Sequence, residues 1–288
     1  MYPASFEYHR ATTVDEALAL LSQYGDDGKL IAGGHSLLPV MKLRFARPAH
    51  LIDIRRLTEL AGIHEEGGAI RIGATTTHAA VASSDVIRHH VPMLAEAAGR
   101  IADAQVRNMG TIGGSLAHAD PAADLPAVTL ALGAELHVVG RRGPRAIPVD
   151  EFFTGMFSSA LAGDEMLVEV RVPVPPEGTG GAYEKYADPA SGYAVVGVAA
   201  MVTLGGGVVQ RSRVALTGYA SHARRLTSVE EALTGKAVTP EHIEAAAGRA
   251  IEGLEPRDGP GGAAAHKASL VAVYTRRALA RAADRARR

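Results

Sequence analysis

Apolar residues in the first part of the chain recur at spacings that predict helices and short strands in alternation. A capping-box pattern at Thr13 and Glu16 predicts a helix start, and Gly25 predicts its end. Four apolar residues between them share one helical face: Val14, Ala17, Leu18 and Leu21. The other elements predicted here are strands at 29–32, 51–54, 135–139 and 166–172, a hairpin at 63–72, and helices at 77–82, 93–101 and 125–132.

The second part begins after a segment rich in proline and glycine at 173–181, which predicts a domain boundary near residue 176. Strands are predicted beyond it at 182–186, 193–204 and 208–219, followed by helices at 229–233, 242–251 and 266–283. We therefore expect residues 1–176 and 177–288 to form two domains, the second a three-stranded antiparallel sheet with helices. Strands followed by helices, without strict alternation, favour an α+β fold.

Composition excludes several classes of function. The 288 residues carry 30 Lys and Arg against 31 Asp and Glu, and a net charge of −1 argues against nucleic-acid binding. The chain has no cysteine, so it cannot form disulfides, bind zinc through thiolates or ligate an iron–sulfur cluster. No apolar run reaches the roughly 20 residues of a membrane span, and the N-terminus lacks a secretion-signal pattern. A cytoplasmic location is expected.

Two glycine-rich segments are the main candidates for chemistry: AGGHS at 32–36, after a predicted strand, and TIGGS at 111–115, before a helical stretch. Adjacent glycines allow main-chain N–H groups to approach an anion closely, so two such loops across a cleft could bind a pyrophosphate without arginine. Structural turns remain the alternative. The other glycine pairs, at 67–68, 180–181 and 261–262, are predicted to form turns only.

Other polar residues give weaker signals. Asp124 follows the second glycine loop as either a ribose or adenine acceptor or a helix N-terminal charge. A catalytic group of a hydrolase could be formed by Ser115, His118, Asp120 and Asp124. Catalytic triads, however, usually assemble from distant segments of a chain. The histidines show no metal-ligand spacing, so no metal site is predicted. The last predicted helix is rich in arginine. These residues either lie in solvent at the end of the helix or form a surface that binds a partner subunit: Arg276, Arg277, Arg281, Arg285, Arg287 and Arg288.

The segments AGGHSLLPVMKLR at 32–44 and TIGGSLAHADPAADLPAVTLALGAEL at 111–136 closely resemble the FAD-binding medium subunits of molybdenum hydroxylases, most of all the carbon monoxide dehydrogenase group. LVEVRVP at 167–173, YEKY at 183–186 and the strand-then-helix ending extend the resemblance along the chain. The resemblance implies a vanillyl-alcohol-oxidase or PCMH-type fold. Two α+β subdomains, split near residue 55, would hold the FAD, and the C-terminal domain would cover it.

The resemblance also implies where non-covalent FAD binds. Main-chain N–H groups and hydroxyls from both loops would hold its pyrophosphate: Ala32, Gly33, Gly34, His35 and Ser36, with Thr111, Ile112, Gly113, Gly114 and Ser115. Valine at Gly33 or Gly114 is expected to abolish FAD retention, because its side chain would occupy the space of a phosphate. Many relatives have Asn in place of Ser115, and either residue can hydrogen-bond a phosphate.

Four further residues are assigned by the resemblance. Asp124 would bind the adenosine ribose region, and Leu161 would line the cofactor site. Lys185 would lie near the N1–C2=O edge of the flavin ring, where a cation stabilises the anionic reduced form. Tyr193 would cover one face of the isoalloxazine. A solvated strand lysine and a core tyrosine are the alternatives for the last two.

The function implied is electron transfer within a larger enzyme. A large molybdopterin-binding subunit would oxidise substrate, a small subunit would carry two [2Fe-2S] clusters, and FAD on this chain would pass electrons to an external acceptor such as a quinone. A dimer of heterotrimers, cytoplasmic or at the inner membrane face, is implied. The alternatives are the flavin subunit of a xanthine, aldehyde or N-heterocycle dehydrogenase, a stand-alone flavin oxidase, and a flavin-free scaffold.

Overall fold

The computed structural model describes residues 2–257 and 263–288. The first subdomain is a parallel three-stranded sheet with two helices. Its elements are β1 (Glu7–Arg10), α1 (Val14–Tyr24), β2 (Gly28–Ile31), α2 (Leu37–Lys42) and β3 (His50–Asp53), with strand order β1-β3-β2. Strand β3 is central, and its first residue, His50, pairs with both Glu7 and Gly28. The loop that leaves β2 is the first glycine segment.

The predicted capping box of α1 forms only in part. The Thr13 hydroxyl accepts from the main-chain N–H of Glu16 at 3.1 Å, as expected. The Glu16 carboxylate, however, accepts from the N–H and hydroxyl of Thr12, at 2.7 and 2.6 Å, instead of reaching Thr13. The helix ends at Gly25, whose φ of +50° a residue without a side chain adopts readily.

The second subdomain combines an antiparallel five-stranded sheet, ordered β4-β5-β10-β6-β7, with a layer of helices. Its strands are β4 (Ile63–Glu66), β5 (Ala69–Gly73), β6 (Glu135–Gly140), β7 (Gly143–Pro148), the small pair β8 (Phe153–Gly155) and β9 (Ser158–Ser159), and β10 (Met166–Pro173). Its helices are α3 (His78–Ser83), α4 (Asp85–His90), α5 (Pro92–Gly99), α6 (Ala104–Met109), α7 (Ile112–His118), α8 (Asp124–Leu132) and α9 (Val149–Phe152). The predicted hairpin is β4–β5, with Gly67 and Gly68 at positive φ in its turn.

The C-terminal part is a four-stranded antiparallel sheet covered by helices. Strands β11 (Thr179–Ala187), β12 (Ala194–Gly205), β13 (Val208–Thr217) and β14 (Arg224–Arg225) pair in chain order, and α10 (Thr227–Leu233), α11 (Pro240–Ala247) and α12 (Ala264–Ala286) follow. Three strands were predicted. The fourth has two residues, too few to show a periodic pattern in the sequence.

Gly180 and Gly181 lie inside β11, so the prediction that they only form a turn was wrong. A Cβ on Gly180 would stand 2.0 Å from the carbonyl oxygen of Ala282 on α12, so glycine lets helix and strand approach closely. The helix is fixed there by Arg285, which donates to the Gly181 carbonyl at 2.7 Å and pairs with Glu96 of α5. The pair at 261–262 lies outside the described residues.

Candidate functional site

A cleft of about 740 Å³ lies where the two N-terminal subdomains and the C-terminal part meet. Its walls come from 28–37, from 110–118 and from 157–167, with 191–193 at one side. A volume of this size is within the range typical of small-molecule and cofactor sites. The two glycine loops identified in the sequence therefore share one hollow.

The first glycine loop connects β2 to α2 and packs directly on the second. A Cβ on Gly33 would stand 2.2 Å from the carbonyl oxygen of Met109 and 2.7 Å from the Cα of Gly110, so the two chain segments touch through glycine. Gly34 has a φ of +75°, in the left-handed region that favours glycine. These two requirements explain the Gly-Gly pair through packing and backbone conformation.

The same loop leaves a row of main-chain donors free. Within 2–257 and 263–288, no group accepts a hydrogen bond from the N–H of Gly33, Gly34, His35 or Ser36. Each of these residues lines the cleft, as does Ala32. Four consecutive uncharged donors at the wall of a hollow can bind an anion without a compensating positive side chain.

The second glycine loop predicted from the sequence is the first turn of α7 with its N-cap, and it uses its first main-chain donors inside the protein. The N–H of Ile112 donates to Thr76 at 3.0 Å, and the N–H of Gly113 donates to Ala74 at 2.9 Å. A Cβ on Gly113 would lie 2.5 Å from that of Ala74, so this glycine also serves close packing. Ile112 is fully buried in the core and does not line the cleft.

The rest of the second loop faces the cleft with hydroxyls. Thr111 caps α7 by accepting from the N–H of Gly114 at 3.1 Å, which leaves its own hydroxyl hydrogen available to a ligand. Gly114 is exposed, and the nearest atom to a Cβ there would be the Thr111 Oγ1 at 2.8 Å. Ser115 also lines the cleft. This segment thus offers hydroxyls to the cleft, whereas both main-chain N–H groups and hydroxyls were expected from the sequence.

The two loops together fit the pyrophosphate of a dinucleotide such as FAD. One loop supplies consecutive free N–H groups, the other supplies hydroxyls, and Gly114 keeps the adjacent space clear of a side chain. Apolar residues complete the walls, as a flavin and an adenine require. They include Val40, Ala46, Ile101, Leu161 and Leu167.

Asp124 and Lys185 form a buried ion pair beside the cleft. The Lys185 Nζ on β11 lies 2.9 Å from Oδ2 of Asp124 at the start of α8, and the Tyr183 hydroxyl donates to the other oxygen. The two charged side chains are 1% and 5% exposed. Burial raises the pKa of the Asp124 carboxyl, while Lys185 and Tyr183 oppose that rise. Asp124 lines the cleft but Lys185 does not.

Sequence reasoning missed two members of this cluster, Tyr183 and Arg100. Arg100 donates to the Tyr183 carbonyl at 3.0 Å, and its own carbonyl accepts from Lys185 at 3.4 Å. Tyr183 and Lys185 are two residues apart on one strand, so their side chains share a face, which is the one available sequence signal. The cluster ties the C-terminal sheet to the helices behind the cleft.

Tyr193 stands at the side of the cleft, directly before β12. Its side chain is 42% exposed. Burial and the carboxylates of Asp120 and Asp124 raise the pKa of its phenol, whereas the Ser36 hydroxyl lowers it. The Tyr193 hydroxyl therefore lies close to Ser36 at the end of the first glycine loop. An aromatic ring there is available to stack on a planar ligand.

His78 is a cleft residue with no signal in the sequence. It is 5% exposed, and its Nδ1 has no hydrogen-bond partner in the described part of the chain. Burial lowers the pKa of the imidazole to about 4, and His35 adds to that effect. Its ring packs under Gly110, where a Cβ would lie 2.8 Å from the imidazole Cδ2.

The hydrolase alternative gains no support from the geometry. The His118 ring packs against Phe157 at a centroid distance of 5.1 Å, and an Asp120 carboxylate oxygen accepts from the N–H of Ala122. Among the described residues no hydrogen bond joins Ser115 to His118, so no nucleophile–base pair is present.

None of the described helices is both long and apolar enough to span a bilayer.

Comparisons with known proteins agree with this geometry. Residues 4–175 match the family model for the FAD binding domain in molybdopterin dehydrogenase, and 181–282 match the CO dehydrogenase flavoprotein C-terminal domain. The carbon monoxide dehydrogenase medium chain of Hydrogenophaga pseudoflava is 47% identical over 279 residues, which cover 97% of each chain. The 6-hydroxypseudooxynicotine dehydrogenase complex subunit alpha of Paenarthrobacter nicotinovorans is 42% identical, covering 100% of this chain and 97% of its own.

The solved structures extend the agreement to the fold. Carbon monoxide dehydrogenase from H. pseudoflava, in a form that lacks the Mo-pyranopterin moiety of its cofactor, contains a chain that superposes with a TM-score of 0.96. The two share 48% identity and cover 99% of each other. The family resemblance and the α+β fold predicted from the sequence are confirmed. The chain belongs to the FAD-binding subunits of the molybdopterin dehydrogenases, which are oxidoreductases.

Proposed function

We propose that this chain is the flavoprotein subunit of an aerobic carbon monoxide dehydrogenase. In that role it binds FAD without a covalent link and relays electrons from the [2Fe-2S] clusters of a small subunit to an external acceptor. The observation that carries the proposal is that the four free N–H groups of Gly33 to Ser36 and the hydroxyls of Thr111 and Ser115 belong to residues that line one cleft. The 47% identity to a carbon monoxide dehydrogenase medium chain favours this member of the family.

The chain's own contribution begins with the pyrophosphate. The N–H groups of the first loop donate to it, and the hydroxyls of Thr111 and Ser115 donate from the other side. Because all these donors are neutral and held by packed backbone, they need little rearrangement when the cofactor binds. Gly114 leaves the room that the phosphate oxygens require.

The flavin ring would lie beside Tyr193 and Leu161, which both line the cleft. Tyr193 covers one face of the isoalloxazine, and Leu161 lines the site. Lys185 and Asp124 keep the roles that the resemblance implies, at the N1–C2=O edge of the ring and at the ribose. Because their charged atoms bond to each other at 2.9 Å, each of these roles competes with the buried ion pair. When bound, FAD would supply the exchange between one-electron donors and a two-electron acceptor.

The rest of the enzyme lies in other chains. A large molybdopterin-binding subunit oxidises the substrate, and the small subunit carries the clusters that a chain without cysteine cannot hold. The proposed assembly is a dimer of heterotrimers with a quinone as acceptor, in the cytoplasm at the inner face of the membrane.

A second substrate is favoured by one observation. The 6-hydroxypseudooxynicotine dehydrogenase complex subunit is 42% identical over the whole chain, close to the value for carbon monoxide dehydrogenase. An N-heterocycle or related compound is therefore the alternative substrate of the assembled enzyme. The flavin subunit would have the same task in either case.

The test uses the complex purified through a tag on this chain. Anaerobic addition of carbon monoxide should bleach the flavin absorbance of the complex and leave that of the isolated chain with added FAD unchanged. If a hydroxylated N-heterocycle bleaches the flavin and carbon monoxide does not, the proposed substrate is wrong but the proposed electron-transfer role of this chain stands. Bleaching of the isolated chain by a substrate would show a stand-alone oxidase, and a colourless chain that takes up no FAD would overturn the flavin role.

A further inference from the structure

Three potential metal ligands meet on the face of the first sheet that packs against α1, away from the cleft. Glu7 and His9 are two residues apart on β1, so their side chains share a face, and His50 begins the neighbouring strand β3. None of the three lines the cleft. Sequence spacing could not reveal this group, because two of its members are separated from the third by some forty residues and a parallel pairing.

The distances between the ligand atoms match a small coordination sphere. The His9 Nε2 lies 3.1 Å from the His50 Nδ1, and the Glu7 Oε2 lies 3.5 Å from that Nδ1 and 3.8 Å from that Nε2. In tetrahedral zinc sites with bonds of about 2.0–2.1 Å, neighbouring ligand atoms are about 3.3–3.4 Å apart. To match the 3.1 Å between the two nitrogens, the exposed Glu7 oxygen would have to come closer by about 0.4 Å to one of them and about 0.7 Å to the other.

The two imidazoles are held in place before any metal arrives. Tyr24, at the end of α1, stacks on His50 with centroids 3.6 Å apart and an interplanar angle of 11°, and it stacks on His9 at 5.0 Å. The His9 and His50 side chains are 22% and 19% exposed, so they are accessible to a metal but restricted in rotation. Glu7 is 73% exposed and free to close on the ion.

We propose that Glu7, His9 and His50 form a binding site for Zn²⁺ or a similar borderline divalent transition metal, with water in the fourth position. Imidazole nitrogens and one carboxylate are a donor set that such metals accept. A bound ion would join the edge strand β1 to the central strand β3. Because β3 also pairs with β2, which leads into the first glycine loop, the ion would stabilise the sheet that supports that loop.

The test is to titrate the chelator-treated full-length chain with Zn²⁺ and to measure binding and thermal unfolding by calorimetry. One ion per chain should bind, and the melting temperature should rise with the free zinc concentration. His9→Gln and His50→Gln should each weaken binding by more than about tenfold, since loss of an outer-shell partner alone costs about 10- to 100-fold. Co²⁺ should give the visible absorption of a four-coordinate ion in the wild type and lose it in both variants.

The matched control is His90→Gln. His90 forms a histidine–carboxylate pair with Glu65 at 2.8 Å but belongs to no three-ligand group among the described residues. Its variant should bind zinc like the wild type. If a histidine variant fails to fold, Glu7→Gln at the exposed position still reports on the site. Undiminished binding in the Glu7 and His9 variants, or no bound zinc in the wild type, would overturn the proposal and leave a plain His–His hydrogen bond.

Discussion

Replacing Lys185 by methionine tests whether the buried pair with Asp124 is a structural contact. Methionine is close to the aliphatic part of lysine in size, so the change removes mainly the charge. Among the residues that the structure describes, Asp124, which is 5% exposed, would keep only the Tyr183 hydroxyl as a hydrogen-bond donor to its carboxylate. An unpaired carboxylate in that position must either stay charged in an apolar setting or take up a proton.

Protonation of Asp124 sets the upper limit of the stability that the variant loses. Protonating a carboxyl whose ordinary pKa is 3.8 costs about 1.4 kcal/mol for each pH unit above that value, or about 4 kcal/mol at pH 7. That agrees with the roughly 3–5 kcal/mol seen when one partner of a buried pair is removed. In the variant the folded-state pKa is raised above the unfolded value, so the penalty shrinks as the pH falls, to about 1.6 kcal/mol at pH 5.

Thermal and urea unfolding followed by circular dichroism provide the assay, since the chain has no tryptophan. Lys185→Met should lower the melting temperature by about 10 °C at pH 7 and by much less at pH 5. The double variant with Asp124→Asn should recover most of the loss, and the exposed Lys236→Met should change nothing. A Lys185→Met protein of wild-type stability at pH 7, with a shifted reduction potential of its bound FAD, would refute this reasoning and favour direct contact with the ring.

The remaining predictions concern the cleft. Gly33→Ala should lower the free energy of unfolding by more than about 2 kcal/mol, because its Cβ meets the Met109 carbonyl at 2.2 Å. Gly114→Ala places a Cβ 2.8 Å from the Thr111 hydroxyl that caps α7, so it should cost about 1 kcal/mol through that cap and lose FAD affinity. Flavin content and melting curves separate the two, and full FAD retention by Gly114→Ala would contradict its role. Between pH 6.5 and 4 the wild type should lose about 3 kcal/mol that His78→Gln does not, because the folded-state pKa of His78 is lowered to about 4. Equal pH slopes of unfolding free energy for the two proteins would show that His78 is not buried as a neutral ring.

The distribution of apolar residues along the sequence predicted the longer helices and strands of the fold. Helix α1 and the strands β10, β12 and β13 are long and lie close to their predicted bounds. The helices α2, α4 and α6 have six residues each and were missed, because fewer than two turns give only a weak periodicity, although α3, equally short, was predicted at 77–82. The predicted helix at 242–251 instead spans Pro240–Ala247, since a Thr-Pro start shifts it toward the N-terminus.

The candidate site was predictable in its loops but not in its partners. Two Gly-Gly pairs, each followed by a hydroxyl or imidazole residue, marked both walls of the cleft. The bond between Lys185 and Asp124 joins residues 61 positions apart, and the sequence contains nothing that fixes such a distance. The buried state of His78 is equally non-local, because it depends on how α3 packs under Gly110.

The two glycine pairs divide their work in the same way. In each pair the first glycine, Gly33 or Gly113, is required by the protein itself, since a Cβ would enter neighbouring backbone at 2.2 Å in one case and contact Ala74 at 2.5 Å in the other. The second glycine faces a different demand: Gly34 adopts a φ of +75°, and Gly114 is exposed beside the cleft. The Gly33 contact fixes the first loop against Met109 and Gly110, which lead into the second, and the Gly113 contact fixes the second loop against Ala74. The cleft is therefore built before the cofactor arrives, and the ordering cost of binding is reduced accordingly.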